Sequence, residues 1–286
     1  DDANVVFKGE EFGLHTRVFI NSAGLPTYEA KEVGLNVTKF KKHPDAAQSI
    51  IVTASEQNAY FKVLLQVLKL IDKKDGEKTM HIGHGMMRFA SGKMSSRMGN
   101  VVTAETLLAD IKEMVREKIG QREFAPAEAD EVSEEVAVGA IKYTILRSAV
   151  GSVIVFDTAS SISFEGDSGP YLQYSAVRAQ SVLAKAGESA APAGTKLVMP
   201  ETAGQLERLI TRFADIAERA RQEYAPQHIA NYLINLAGAF NGFYANSVIV
   251  DANEPLSPYR IALTRSFLRT MTDGLWLLGI KVPKRM

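Results

Sequence analysis

The period of the apolar residues changes near Val102, and that change limits the chain to two kinds of architecture in series. Before it, short β-branched runs alternate with helical stretches. Arg17-Val18-Phe19-Ile20 and Ile50-Ile51-Val52-Thr53 read as strands. From Glu56 to Ile71, residues Tyr60, Val63, Leu64, Val67, Leu68 and Ile71 recur at three and four positions, which predicts one apolar helix face. Met80, Ile82 and the run from Met86 to Phe89 predict a further strand, ending at Ala90-Ser91-Gly92. Strand–helix–strand order implies α/β layering on a parallel sheet. After Val102 only helical stripes remain. Thr103 is a candidate N-cap, and Leu107, Leu108, Ile111, Met114, Val115 and Ile119 form one stripe. Further helices are expected near 128–149, 171–186, 204–223, 227–247 and 258–277. The Ala190-Ala191-Pro192-Ala193-Gly194 segment reads as a loop, and the turn formers between Phe156 and Pro170 mark a joint. The expected fold is therefore α/β followed by all-α.

Composition excludes several classes of chemistry. With no Cys among 286 residues there can be no disulfide, cysteine-held zinc, iron–sulfur cluster or thiol nucleophile. No apolar run approaches the ~20 residues of a membrane span, and the polar start Asp1-Asp2-Ala3-Asn4 is unlike a signal or transit peptide, so a soluble, cytoplasmic protein is expected. The formal net charge of zero conceals an asymmetry. Residues 171–286 hold 13 Lys+Arg against 9 Asp+Glu, a basic half that could meet a polyanion.

The most informative segment is Ser91-Gly92-Lys93-Met94-Ser95-Ser96-Arg97-Met98-Gly99-Asn100. It places two cations and two hydroxyls between glycines, just after a strand and before a helix. Such a loop can close on a polyphosphate and offset charge in phosphoryl displacement. Taken alone, a basic Gly/Ser segment is more often a solvated turn. Its wording decides otherwise: Gly-Lys-Met-Ser-Ser-Arg resembles the signature loop of class I aminoacyl-tRNA synthetases in the form common among arginyl-tRNA synthetases.

That resemblance continues along nearly the whole chain. Gly24-Leu25-Pro26-Thr27-Tyr28, followed by Ala30-Lys31-Glu32, is similar to the family's Pro-Thr-Tyr segment, which helps hold the amino acid. By that match Tyr28 and Glu32 contact the arginine side chain, with Gln57 as a further polar contact. A guanidinium does require a carboxylate partner. The family usually carries Asp where Glu32 stands, and read without the family Tyr28 and Glu32 are equally a turn aromatic and a surface acid. Gly169-Pro170-Tyr171-Leu172-Gln173-Tyr174 looks like the junction into the family's anticodon-binding domain, and the Leu277–Met286 segment resembles that domain's ending. Tyr171 and Tyr174 could then stack on unpaired bases, with Arg178 on phosphate; tyrosines at a joint are also commonly packed with the hydroxyl satisfied.

His81-Ile82-Gly83-His84 spells the other class I signature but stands too close to Lys93 to be that motif. It reads instead as the strand feeding the loop, with His84, Gly85, Met86, Lys93 and Met94 bordering ATP. Two His at this spacing on a strand point to opposite faces, so no metal site is expected.

The resemblance implies the C-terminal part of a Rossmann-like class I catalytic domain over residues 1–125. A helical connector over 126–170 and an anticodon-binding bundle over 171–286 would follow. It implies an arginine–tRNA ligase that uses ATP with Mg²⁺, L-arginine and tRNA-Arg, in a family usually monomeric, with Lys93, Ser95, Ser96 and Arg97 as catalytic residues. The upstream ATP-binding half is absent, so a fragment is expected. The competing expectation is a non-catalytic tRNA-binding module; a third is an unrelated nucleotide-binding protein.

Overall fold

The computed structural model describes residues 3–90, 103–120, 124–187 and 197–286. These form two compact units, one comprising Asp1–Met86 with Val150–Val153, the other Met87–Ala149 with Ile154–Met286.

In the first unit a parallel pair, β3 (Ser49–Ala54) and β4 (Thr79–His84), runs in register from Ser49↔Thr79 to Ala54↔His84. A shorter antiparallel pair joins β1 (Val5–Phe7) to β2 (Arg17–Ile20). The sequence expectation of a parallel sheet therefore holds for β3 and β4 and not for β2, whose partner is only three residues long. Helix α2 (Asn58–Ile71) lays its predicted stripe on the sheet: Tyr60, Phe61, Leu64 and Leu68 pack with Ile51 and with Val33 of α1 (Tyr28–Lys42). Only Ile71 of that stripe stands in solvent. The periodicity did not single out α1, because its buried face is thin. Asn36 and Phe40 are its buried residues, and Asn36 donates to the Thr79 hydroxyl at 2.9 Å. The short α3 (Lys73–Glu77), capped by Asp72, returns the chain to β4.

The second unit is mainly helical. A parallel pair of three-residue strands, β5 (Met87–Phe89) and β6 (Ile154–Phe156), sits beside α4 (Ala104–Ile119) and α5 (Pro126–Leu146). Thr103 caps α4 as expected, accepting from the Thr106 N–H at 3.2 Å. The α4 residues Leu107, Ile111, Val115 and Ile119 pack with Val132, Val136, Phe156 and Val177. After the short α6 (Thr158–Ser161), α7 (Gly169–Ala186) starts at Ser168, whose hydroxyl accepts from the Tyr171 N–H at 3.1 Å. Helices α10 (Gln227–Asn246) and α11 (Ser257–Leu277) complete the main core with Leu172, Leu233, Leu236, Phe240, Phe267 and Met271.

The helix expected over 204–223 is divided into α8 (Gln205–Thr211) and α9 (Phe213–Glu223). The cause is tertiary. The Tyr232 hydroxyl donates to the Leu209 carbonyl at 2.8 Å, and the Thr211 hydroxyl donates to the Arg208 carbonyl. The Leu209 carbonyl is thereby satisfied from outside, while the Thr211 bond is local and the Arg212 N–H reaches Leu209 in a tighter three-residue turn at 3.1 Å. Burial holds the Tyr232 hydroxyl up at about 12, so it remains a donor.

Helices α5 and α7 cross with their backbones in direct contact: a Cβ on Gly169 would lie 2.3 Å from the Gly139 carbonyl oxygen. Gln173, fully buried at this crossing, donates to the Glu135 carbonyl at 3.0 Å and the Lys281 carbonyl at 2.7 Å. Gln173→Leu keeps the volume and removes both donors. We expect a loss of about 1–3 kcal/mol, seen as a lower urea midpoint at unchanged slope.

Candidate functional site

The residues expected to hold an amino acid meet around a tyrosine that the helical period disguised. Tyr28 is the first residue of α1, so its ring projects from a helix end and is largely in solvent. It lies on the ring of Tyr60, with centroids 5.2 Å apart. Glu32, one helical turn beyond Tyr28, is half-buried, and its carboxylate makes no ion pair or hydrogen bond among the described residues. The neighbouring Glu29 is paired with Arg17 at 3.0 Å, and the Arg17 guanidinium lies 5.3 Å from the centre of the Tyr60 ring. Burial acts to raise the Glu29 carboxyl, but hydrogen bonds from its own N–H, Arg17 and Thr27 prevail and hold it lowered. The Tyr60 hydroxyl is pushed far up, first by burial and then by the charge of Glu32, with Tyr28 and Glu29 adding to it. Gln57, in the turn leading into α2, is exposed, and its side chain makes no hydrogen bond among the described residues. Tyr28 thus lies against Tyr60, and Glu32, one turn along α1, acts on the Tyr60 hydroxyl through its charge, whereas Gln57 has no side-chain partner among the described residues.

On β4, the His81-Ile82-Gly83-His84 segment is strand throughout, with no helix N-terminus following it. His81 faces α2: its ring stacks on Phe61 at 4.0 Å, its Nε2 is 2.7 Å from the Thr53 hydroxyl, and burial lowers its pKa. His84, at the strand end, is exposed and turns its Nδ1 to the Gly85 carbonyl at 2.9 Å. Gly85 is buried and Met86 exposed. Lys93, Met94, Ser95, Ser96 and Arg97 lie outside the described residues. Among the described residues no group of three or more His, Cys, Asp or Glu is placed to hold a metal ion.

In the helical unit, Tyr171, Tyr174 and Arg178 share one face of α7. The Arg178 guanidinium is held between two rings, 4.7 Å from the centre of Tyr174 and 4.9 Å from that of Tyr244 on α10. It donates to the Asn241 side-chain oxygen. The Asn241 amide in turn donates to the Tyr171 hydroxyl and the Ser175 hydroxyl, each at 2.9 Å. The result is an aromatic–guanidinium–aromatic stack with an exposed ring, Tyr244, at one end. Tyr171 also borders an open groove of about 880 Å³, walled by Leu206, Ile234, Gly238, Gly242 and Tyr259.

A family model described as the catalytic domain of class I tRNA synthetases (R) matches residues 1–157, more than half of the chain. The chain belongs to the arginyl-tRNA synthetase family. A second model, the DALR anticodon binding domain, matches residues 172–286. The arginine–tRNA ligase of Bacteroides thetaiotaomicron is 34% identical over 285 residues, covering 96% of this chain and 47% of that protein. That of Limosilactobacillus reuteri is 33% identical over 277 residues, covering 97% and 49%. The arginyl-tRNA synthetase of Thermus thermophilus superposes with a TM-score of 0.79 at 25% identity, covering 99% of this chain and 54% of that one. The Plasmodium falciparum arginyl-tRNA synthetase gives the same TM-score at 21% identity and shows the fold alone. The chain spans about half the length of the curated relatives it matches.

Set against this family, the architecture is that of a class I catalytic-domain part followed by a helical anticodon-binding domain, as the resemblance implied. Residues that the sequence reading passed over are Arg17 and Glu29 beside Tyr28, and Asn241 and Tyr244 beside Arg178. Tyr60 was visible only as a member of the α2 stripe. For Asn241 and Tyr244 the available signal was polar residues three apart, interrupting the apolar run of α10.

Proposed function

We propose that this chain carries the arginine-selecting and anticodon-reading parts of an arginine–tRNA ligase. The observation that carries the reading is the packing of Tyr28 on Tyr60 one helical turn before Glu32, which is unpaired among the described residues, in a chain belonging to the arginyl-tRNA synthetase family. A carboxylate with no internal cation, beside aromatic faces, is what a guanidinium side chain requires. Gln57 supplies a further polar contact. In the reaction, the arginine carboxylate attacks the α-phosphate of ATP, giving arginyl-adenylate and releasing pyrophosphate, and a hydroxyl at the 3′ end of tRNA-Arg then takes the arginyl group, releasing AMP. Lys93, with Ser95, Ser96 and Arg97, offsets the charge that builds on the phosphates. His84, Gly85, Met86 and Met94 border the nucleotide. Mg²⁺ accompanies ATP, carried by its phosphates.

We assign residues 1–125 to the catalytic part, 126–170 to a connector and 171–286 to the tRNA-binding bundle. Tyr171, Tyr174 and Arg178 form its base-stacking face together with Tyr244. No helix among the described residues is long and apolar enough to cross a membrane, and a cytoplasmic monomer fits the reading.

The test is equilibrium binding of the chain to tRNA-Arg and two non-cognate tRNAs across a salt series. Cognate preference persisting at physiological salt supports the reading; indiscriminate, salt-sensitive binding leaves only general electrostatics. Arginine-dependent ATP–pyrophosphate exchange, run with tRNA-Arg present, separates the ligase from a non-catalytic tRNA-binding module.

A further inference from the structure

Tyr60 is 5% exposed, and its hydroxyl is shut off from solvent with no hydrogen-bond partner among the described residues. Leaving a buried hydroxyl unpaired is costly, and a helix stripe position of this kind is ordinarily filled by Phe or Leu. The groups around it share one chemistry. Tyr28 covers the ring, and the acidic side chains Glu29 and Glu32 act on the hydroxyl from α1. Arg17 shows that this setting accepts a guanidinium, since its own lies against the Tyr60 ring while bonded to Glu29. That pairing occupies Glu29 and leaves Glu32 as the open carboxylate.

We propose that Tyr60 is a further substrate-contacting residue, whose hydroxyl accepts a hydrogen bond from the guanidinium of an arginine bound at Glu32. The inference rests on the arginine-binding reading of Tyr28 and Glu32 and extends it to a residue inside the helix stripe. A guanidinium has donors and no acceptor, so it needs the oxygen lone pairs that Tyr60 leaves unused. Because the hydroxyl is held protonated, it can accept from the ligand and donate onward to a carboxylate. Glu32 thereby recognises charge, and Tyr60 recognises the N–H directions that lysine lacks. Tyr28, largely in solvent, is the side chain that turns to admit the ligand.

The proposal predicts that affinity and stability move in opposite directions in Tyr60→Phe. L-arginine, L-lysine and L-citrulline are titrated into the full chain and into Tyr60→Phe and Glu32→Gln, followed by NMR chemical shifts, with thermal unfolding measured in parallel. Expected for Tyr60→Phe is a Kd for L-arginine raised about tenfold or more, with a melting temperature that holds or rises because an unpaired buried hydroxyl is gone. Unchanged arginine affinity in Tyr60→Phe, with affinity lost in Glu32→Gln, overturns the role of Tyr60 and leaves the arginine reading intact. A lower affinity accompanied by a lower melting temperature makes Tyr60 a packing residue and also overturns the proposal. If the parent chain does not prefer arginine to lysine and citrulline, the arginine reading itself falls, and this inference with it.

Discussion

Phe267→Ala is expected to remove about 3–5 kcal/mol of stability from the helical unit. Phe267 is fully buried and stacks on Phe240, with centroids 3.9 Å apart and planes within 6°. The cost of such a truncation depends on how far the surroundings can close over the gap. Here α10 and α11 have little room to approach, because a Cβ added at Gly274 would already lie 2.6 Å from a Leu233 methyl carbon. The cavity should persist, which places the expectation toward the upper end. For a unit of this size each kcal/mol shifts the midpoint by roughly 2–4 °C, so a fall on the order of 10 °C should appear in the helical circular dichroism signal. Trp276→Ala, at a residue 75% exposed on the same helix, is the control and should stay within about 0.5 kcal/mol. A loss below about 1 kcal/mol for Phe267→Ala would mean that the two helices collapse into the space.

The long amphipathic helices were legible in the sequence because their stripes are long enough to average out local exceptions. Thr103 opening α4 and the Tyr60-to-Leu68 face of α2 both appear where the pattern placed them. The three-residue strands β1 and β6 are below the length at which alternation carries information, the single strand expected from Met80 to Phe89 is divided into β4 and β5, and α1 buries too few residues to show a stripe. The break at Arg212 depends on a hydroxyl from Tyr232, twenty residues away, which no local propensity encodes. At the candidate site the limit is of another kind. A tyrosine in a stripe reads as apolar area, and that its oxygen is buried and unpaired among the described residues is visible only in the fold. Arg178 shows the same thing in reverse: sequence position suggests a free cation, whereas the fold encloses it between Tyr174 and Tyr244.

That enclosure, compared with the proposed role of Lys93, yields the second large expectation, because the two cations should fail in different ways. If the chain supports arginine-dependent ATP–pyrophosphate exchange, as the proposed ligase reading requires, Lys93→Ala is expected to reduce it by about 10²–10³-fold, the range for losing one group aimed at transition-state charge. Affinity for tRNA-Arg should change little, since developing phosphate charge is absent from the bound ground state. Arg178→Ala should instead weaken tRNA-Arg binding by about 10–100-fold, the range set by one or two base–aromatic stacks and the cation between the rings. The guanidinium positions both rings and anchors Asn241, so its loss frees Tyr174 and Tyr244 together and removes the acceptor-bound end of the Asn241–Tyr171 network. Salt dependence distinguishes this from an ordinary phosphate contact. A cation facing phosphate releases counterions, and removing it lowers the log–log salt slope by about one. A cation held between aromatic rings contributes to the shape of the binding face, so Arg178→Ala should lower affinity by a similar factor at every salt concentration, with the slope nearly unchanged. A slope reduced by a full unit would show that Arg178 leaves its stack to meet the backbone of the tRNA.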